Sequence, residues 1–255
     1  MTATSPQLWQ RTYPALFRSE LALFLREPFA ILFTLVVPLG MLLIMGASFG
    51  NEDAGNGHRV SDIQVPSLAA IVVAYVALGG VPIVFAEYRE LGVFRAYRVT
   101  PMRLRVFIAA HVTVYFLMCA GAAALAAVVT WGVFGLRFGG NGLLLAMVGL
   151  ASSAALFAIG YLVAALPIGS RTAQAVGSSL YFVFIFTSGA TVPRDQFPEA
   201  LDRVVALLPM TVVVELLHDG WIGTLSGARA IAATMALLIV AATSARLAAR
   251  FFRPG

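Results

Sequence analysis

Residues 29–50 read FAILFTLVVPLGMLLIMGASFG, a stretch without a charged side chain. Coiled as an α-helix, it is long enough to cross the hydrocarbon layer of a bilayer, which takes about 20 apolar residues. Apolar runs of similar length recur at 66–86, 106–134, 142–166, 174–192 and 226–248. The spacing predicts an all-α integral membrane protein with six transmembrane helices, forming a single transmembrane domain over residues 1–255.

Composition agrees with that reading. Hydrophobic residues make up 60% of the chain and charged residues 11%, with a mean hydropathy of +0.89. Soluble domains sit near 45–50% and 25%. A water-soluble core of this size has too little interior to hide so much apolar surface, whereas a bilayer covers it with acyl chains. The single cysteine, Cys119, lies inside an apolar run and has no partner for an internal disulfide, so it carries no information on redox compartment.

Charge placement sets the orientation. With six spans, both termini lie on one side of the membrane, together with the 87–105 loop and the 167–173 loop. That side holds 12 of the 17 basic residues, all of them Arg, and four acids; the other side holds five Arg and eight acids. Cytoplasmic loops keep the basic excess, so both termini are expected in the cytoplasm. The net charge of +5 is then an orientation signal, and no nucleic-acid partner is expected. The first 28 residues carry Arg11, Arg18, Glu20, Arg26 and Glu27, which leaves no clean apolar core for a cleavable signal peptide.

Two further segments are amphipathic. Residues 7–27 place Leu8, Trp9, Leu16, Phe17, Leu21, Phe24 and Leu25 at helical spacing, interrupted by Arg18 and Arg26. That is the pattern of a helix lying in the membrane interface, with Pro28 as the corner into the first span; the alternative is a plain start to that span. Residues 193–225 are polar and bounded by Pro193 and Pro198, then apolar at helical spacing through 217. They are too short to cross and return, and are expected to form an extracellular re-entrant helical pair joined near Pro209, just before the last span. Glu215 on this element either faces a water-filled path, as part of an outer gate with Pro193 and Pro209, or caps the surface with its carboxylate in water.

The loop after the second span reads EYRELGVFRAYRVTPMRLR at 87–105. Charge alone is satisfied by a loop that only orients the chain. The order of residues says more: Glu87, Arg89, Glu90, Gly92, Arg95, Thr100 and Pro101 match the ERE-x-G…R…TP pattern, and the loop resembles that of the type-2 ABC transporter permease family. Val93 stands where the family often has Thr. The likeness extends to REPFAILFTLVVPLGMLLIMG in the first span and to SGATVPRDQFPEAL…LLPMTVVVELLHDGW, where Ser188, Gly189, Pro193, Pro198, Leu208, Pro209 and Thr211 match the segment after the fifth span. The resemblance implies that 87–103 is a cytoplasmic coupling helix docking on a separate ABC ATPase subunit, itself a dimer holding ATP and Mg. It also implies a second permease copy or homologue and a place in a bacterial inner or plasma membrane.

Chemistry of its own is not expected in this chain. With no Lys it cannot carry the G-x-x-x-x-G-K-[ST] phosphate loop. His58, His111 and His218 are scattered without metal-ligand spacing, and no nucleophile, base and orienting group stand together. No catalytic residue, metal or cofactor is therefore assigned. The function expected is transport. Cargo would pass apolar and aromatic walls, for which Phe33, Tyr75, Tyr181, Phe182 and Phe186 are candidates, though these aromatics also suit contact with lipid. Such walls fit a hydrophobic or amphipathic drug or antibiotic-like molecule, with glycolipid or polysaccharide as the alternative cargo. A membrane-embedded lipid-modifying enzyme and a passive channel or scaffold are the competing classes.

Overall fold

A computed structural model describes residues 6–50, 52, 59–94, 104–135, 137–192 and 194–251, without the side chains of 6–11, 104, 105 and 195. Among these residues the structure is helical, with no strand. The elements are α1 (Pro6–Arg26), α2 (Pro28–Phe49), α3 (Val60–Glu90), α4 (Leu104–Phe134), α5 (Gly142–Ala165), α6 (Ser170–Thr187), α7 (Glu199–Val205), α8 (Pro209–Ile222) and α9 (Gly227–Phe251). Five of them, α2, α3, α4, α5 and α9, are long and apolar enough to cross a membrane. Helix α6 has 18 residues but opens on Ser170, Arg171 and Gln174, which lowers its apolar character. The apolar run expected at 174–192 is thus helical from 170 to 187. It is stopped beyond Ser188 by Gly189, whose φ of +86° suits a residue without a Cβ.

Helix α3 is the axis of the bundle. It contacts α2, α4, α5, α6 and α8, and 56% of its apolar stretch is buried against 17–39% in the other crossing helices. Helix α9 packs mainly on α5. Helix α1 ends at Arg26, Glu27 is extended, and Pro28 starts α2, so the chain turns a corner there. Tyr13 donates to Thr113, Glu20 pairs with His111, and Phe24 meets Tyr115. Tyr13 and Phe24, eleven residues or about 16 Å of helix apart, thus reach Thr113 and Tyr115, which are two residues apart on α4. Helix α1 lies across α4 rather than along it.

The middle of α2 and of α3 widens into π-helical turns at Leu32–Val36 and Tyr75–Gly80. Each is followed by a proline, Pro38 or Pro82. A proline inside a helix has no N–H to donate and collides with the carbonyl four residues back, and a wider turn relieves that collision. In α3 the Val81 N–H reaches back five residues to the Val76 carbonyl, and Pro82 has none to give. The Ala77 carbonyl thereby loses its usual helical donors.

Glycines on the neighbouring helices let their backbones close over this weak point. A Cβ at Gly160 of α5 would run into the Ala77 carbonyl oxygen, and one at Gly177 of α6 into that of Leu78. Close approach brings Cα–H groups to these carbonyls and replaces part of the lost bonding. Gly160→Ala and Gly177→Ala are each expected to destabilise the chain in detergent by about 1–3 kcal/mol, read as a lower melting temperature. Gly121→Ala, whose added Cβ meets nothing within 4 Å, should leave stability unchanged or raise it by up to about 1 kcal/mol.

Candidate functional site

At the arginine-rich end of the bundle, α3 runs out at Glu90 and the 87–103 loop begins. Leu91 donates to the Glu87 carbonyl and Gly92 to that of Arg89. Gly92 sits at φ +73°, the left-handed conformation that ends helices at little cost only in glycine. From this end the part-buried side chain of Arg89 reaches α5 and the exposed side chain of Glu90 reaches α6. Arg89 donates through Nη1 to the Leu166 carbonyl and through Nη2 to the Ala164 carbonyl. Those carbonyls lie at the end of α5, where helical donors have run out and the helix dipole is negative.

Glu90 does the converse. Its Oε1 accepts the Ser170 N–H at 2.7 Å and its Oε2 the Ser170 hydroxyl at 2.9 Å. Ser170 is the first residue of α6, where amide hydrogens are unpaired and the dipole is positive. Two adjacent residues of α3 thus cap the end of one neighbour and the start of the next, with each charge matched to its dipole. Glu87 stays exposed on the outer face of α3. Of the remaining loop candidates, Arg95, Thr100 and Pro101 lie outside the described residues.

The start of the loop is also held by rings. Phe94 lies 5.9 Å from Phe85 and 6.5 Å from Phe107, centre to centre, and Tyr88 lies 5.8 Å from Phe107. Phe85 meets His111 edge-on at 5.1 Å, and Tyr115 stacks on that imidazole at 4.1 Å. His111 is fully buried, and its Nδ1 is 2.9 Å from Oε2 of Glu20, itself 4% exposed. The loop root, α4 and the crosswise α1 therefore share one aromatic cluster with an acid–imidazole pair inside it. Sequence reasoning noted His111 as an isolated polar residue. Glu20 had a detectable signal, an acid on the apolar side of an amphipathic helix.

The five aromatic path candidates come together. Phe33 is 5.3 Å from Tyr75, Tyr75 is 5.6 Å from Tyr181, Tyr181 is 5.4 Å from Phe182, and Phe182 is 6.4 Å from Phe186. The run crosses α2, α3 and α6 and starts where Phe33 and Tyr75, each in a π-helical turn, meet. Its ends face outward, with Phe33 40% and both Phe182 and Phe186 55% exposed.

At the opposite end, Pro193 lies outside the described residues and Pro209 is the first residue of α8. Glu215 accepts from Arg194 and, at 2.7 Å, from Arg229, which also donates to Asp219 at 2.6 Å. Arg194 Nε reaches Asp202 at 2.7 Å. This network joins the Arg194–Gln196 turn, α7, α8 and the start of α9. Nearby, Arg59 pairs with Asp62 and donates to the carbonyls of Phe134 and Gly135, while Asp62 accepts the Arg137 N–H. That clip joins the start of α3 to the end of α4. Among the described residues no three His, Cys, Asp or Glu side chains gather as a metal site.

The charged loop thus leaves a bundle in which five helices are long and apolar enough to cross a membrane. The sequence model of the family described as ABC-2 type transporter matches residues 12–220, most of the chain, and no curated protein sequence gives a significant match. The chain belongs to the ABC-2 type transporter family and is a transmembrane subunit of an ABC transporter.

Removing the Arg89 guanidinium takes a donor from the Ala164 carbonyl and leaves Leu166 with the Ile168 N–H alone. Arg89→Ala should destabilise the detergent-solubilised chain by about 1.5–3 kcal/mol. Arg89→Lys should recover only part of this, since an ammonium cannot reach both carbonyls as a planar fork does. Thermal denaturation followed by circular dichroism reads both.

Proposed function

We infer that the chain is the membrane half of an exporter that moves a hydrophobic or amphipathic small molecule, driven by a separate ABC ATPase dimer that binds ATP and Mg. The observation that carries this reading is the double cap by Arg89 and Glu90. A force applied to the 87–103 loop has no slack to take up, because its root is bonded to the ends of α5 and α6. In the proposed cycle, the loop docks on the ATPase through the residues from Glu87 to Pro101. Closure of the ATPase pair then pushes α3, α5 and α6 together and changes access to the pathway.

The rest of the arrangement supports a six-span reading. Helix α6, about 27 Å long, makes the sixth crossing, with Arg171 at the cytoplasmic surface. Helices α7 and α8 form the re-entrant pair: Leu217 and Gly220 lie against Gly149 and Leu145, so α8 runs beside the far half of α5. The crosswise seat of α1 on α4 fits a helix in the interfacial plane, with both termini cytoplasmic in a bacterial plasma membrane. The outward-facing aromatic run suits a pathway completed by a second permease copy or homologue, with Pro193, Pro209 and Glu215 at its outer gate. Glycolipid or polysaccharide remains the alternative cargo. A lipid-modifying enzyme is disfavoured by His111, whose imidazole is fully buried among aromatic rings.

The test is co-expression with the partner ATPase and reconstitution in liposomes. The wild-type chain should co-purify with the ATPase, and amphipathic drugs should stimulate hydrolysis more than a glycolipid or oligosaccharide does. Arg95→Glu should weaken association by about tenfold or more while the chain still inserts and melts normally. Undiminished association and stimulation in that variant would overturn the coupling assignment. Stimulation by the glycolipid alone would overturn the cargo.

A further inference from the structure

Helix α4 sets the depth of its neighbours. It has 31 residues, about 46 Å of helix, and overshoots a hydrocarbon layer of about 30 Å. Trp131, 69% exposed one turn before its far end, is the kind of side chain that sits where acyl chains meet headgroups. About 30 Å back along α4 from Trp131 stands His111. The opposite edge of the hydrocarbon layer therefore falls where Glu20 of α1 is seated on His111. Helix α2 gives the same level. Its 22 residues, about 33 Å, start at Pro28, two residues beyond Arg26 at the end of α1. Helix α1 thus lies across α4 at the edge of the apolar layer, on the side of the 87–103 loop.

At that level α1 presents two different faces. Leu16, Glu20 and Phe24, spaced by four, form the strip buried against the bundle. The face turned away carries Arg18, seven residues from Leu25 and so within about 20° of it around the helix. Arg26 lies about 80° from Arg18 and about 12 Å further along the axis. Both arginines are exposed, and neither has a hydrogen bond or ion pair among the described residues. Leu23 and Leu25 beside them are more than half exposed. The nearby acids do not neutralise them: Glu20 is turned to His111, and Glu27, past the helix end, pairs with neither. At the opposite end of the bundle Arg59, Arg194, Arg203 and Arg229 are each paired with an acid of the chain.

Bare guanidinium groups beside exposed leucines call for a partner that offers anionic oxygens and hydrocarbon together. An acidic protein surface offers the first without the second, whereas a phospholipid leaflet offers both at this depth. We propose that α1 binds anionic phospholipid of the leaflet on the side of the 87–103 loop, with Arg18 and Arg26 on headgroup phosphates and Leu25 among the acyl chains. A guanidinium fork matches phosphate oxygens, and each basic side chain at a charged leaflet adds about fivefold in binding. The proposal rests on the membrane reading and is independent of the cargo.

Native mass spectrometry of the full chain, delipidated in detergent and titrated with equimolar phosphatidylglycerol and phosphatidylcholine, tests it. The wild-type chain should hold phosphatidylglycerol about tenfold more tightly, a preference that shrinks as ammonium acetate is raised from about 0.05 to about 0.5 M. Arg18→Gln with Arg26→Gln should cut the preference about fivefold or more, Arg18→Lys with Arg26→Lys should keep most of it, and Arg203→Gln at the far end should leave it unchanged. Equal retention of the two lipids by the wild-type chain, or a preference indifferent to salt, would overturn the proposal even where the Gln variant fails to fold. So would an undiminished preference in a folded Gln variant, or a larger loss in Arg246→Gln with Arg250→Gln on the exposed end of α9. A Gln variant that keeps its lipid preference but no longer co-purifies with the ATPase would give this face to the ATPase instead. Retention of neither lipid would overturn the membrane reading itself.

Discussion

A backbone carbonyl inside a bilayer has no water to turn to, so each one must find a donor or a close neighbour within the protein. That constraint organises this molecule. The long apolar helices meet it through their own i→i+4 bonds, and the exceptions fall at prolines and helix ends. Pro38 and Pro82 break the ladder in α2 and α3. The chain answers with a π-helical turn before each and, around α3, with Gly160 and Gly177 on the helices that face the freed carbonyls. The crowding that makes α3 the axis of the bundle follows from those two glycines as much as from its apolar side chains.

Helix ends pose the same problem with a sign attached. At the end of α5 the spare groups are carbonyls, and Arg89 supplies two donors; at the start of α6 they are amides, and Glu90 accepts the Ser170 N–H with one oxygen and its hydroxyl with the other. Asn141 does the corresponding work for α5 at its other end, accepting the N–H groups of Leu143 and Leu144. Because Arg89 and Glu90 are neighbours on α3, one stretch of backbone fixes three helices at the very place where the charged loop leaves the bundle. Positioning a loop and capping helix ends are here the same interaction.

Much of the architecture was legible in the sequence because membrane helices declare themselves by length and composition, without long-range information. The apolar runs at 29–50, 106–134 and 142–166 correspond to α2, α4 and α5 within a few residues. The run at 174–192 was placed late, since a polar first turn at Ser170–Gln174 looks like loop until Glu90, eighty residues away, is seen to cap it. The side-chain clusters were less legible for the same reason. Glu20 with His111 and Glu215 with Arg229 join positions that no local spacing connects. The contiguity of Phe33, Tyr75, Tyr181, Phe182 and Phe186 depends on the packing of α2, α3 and α6. Arg89 and Glu90 stood out in the sequence by their pattern, but their caps on α5 and α6 could be seen only once the helices were assembled.

The two ends of the bundle are held by different kinds of bond, and this bears on where motion is cheap. At the arginine-rich end, the part-buried Arg89 guanidinium binds two backbone carbonyls, of which Leu166 also accepts the Ile168 N–H, while the exposed Glu90 carboxylate binds Ser170 where water can take its place. At the other end, Arg194, Glu215, Arg229, Asp202 and Asp219 bind one another, with side chains 20–53% exposed. Ion pairs between such partly hydrated groups are worth about 1 kcal/mol or less each, and water replaces a lost partner. The same carboxylates can exchange arginines without leaving any group bare. Loosening α7 and α8 from the start of α9 therefore costs little per bond, while parting α3 from α5 takes the Arg89 donor from the Ala164 carbonyl. In the proposed cycle, a push at the loop would travel along α3 to these exchangeable bonds.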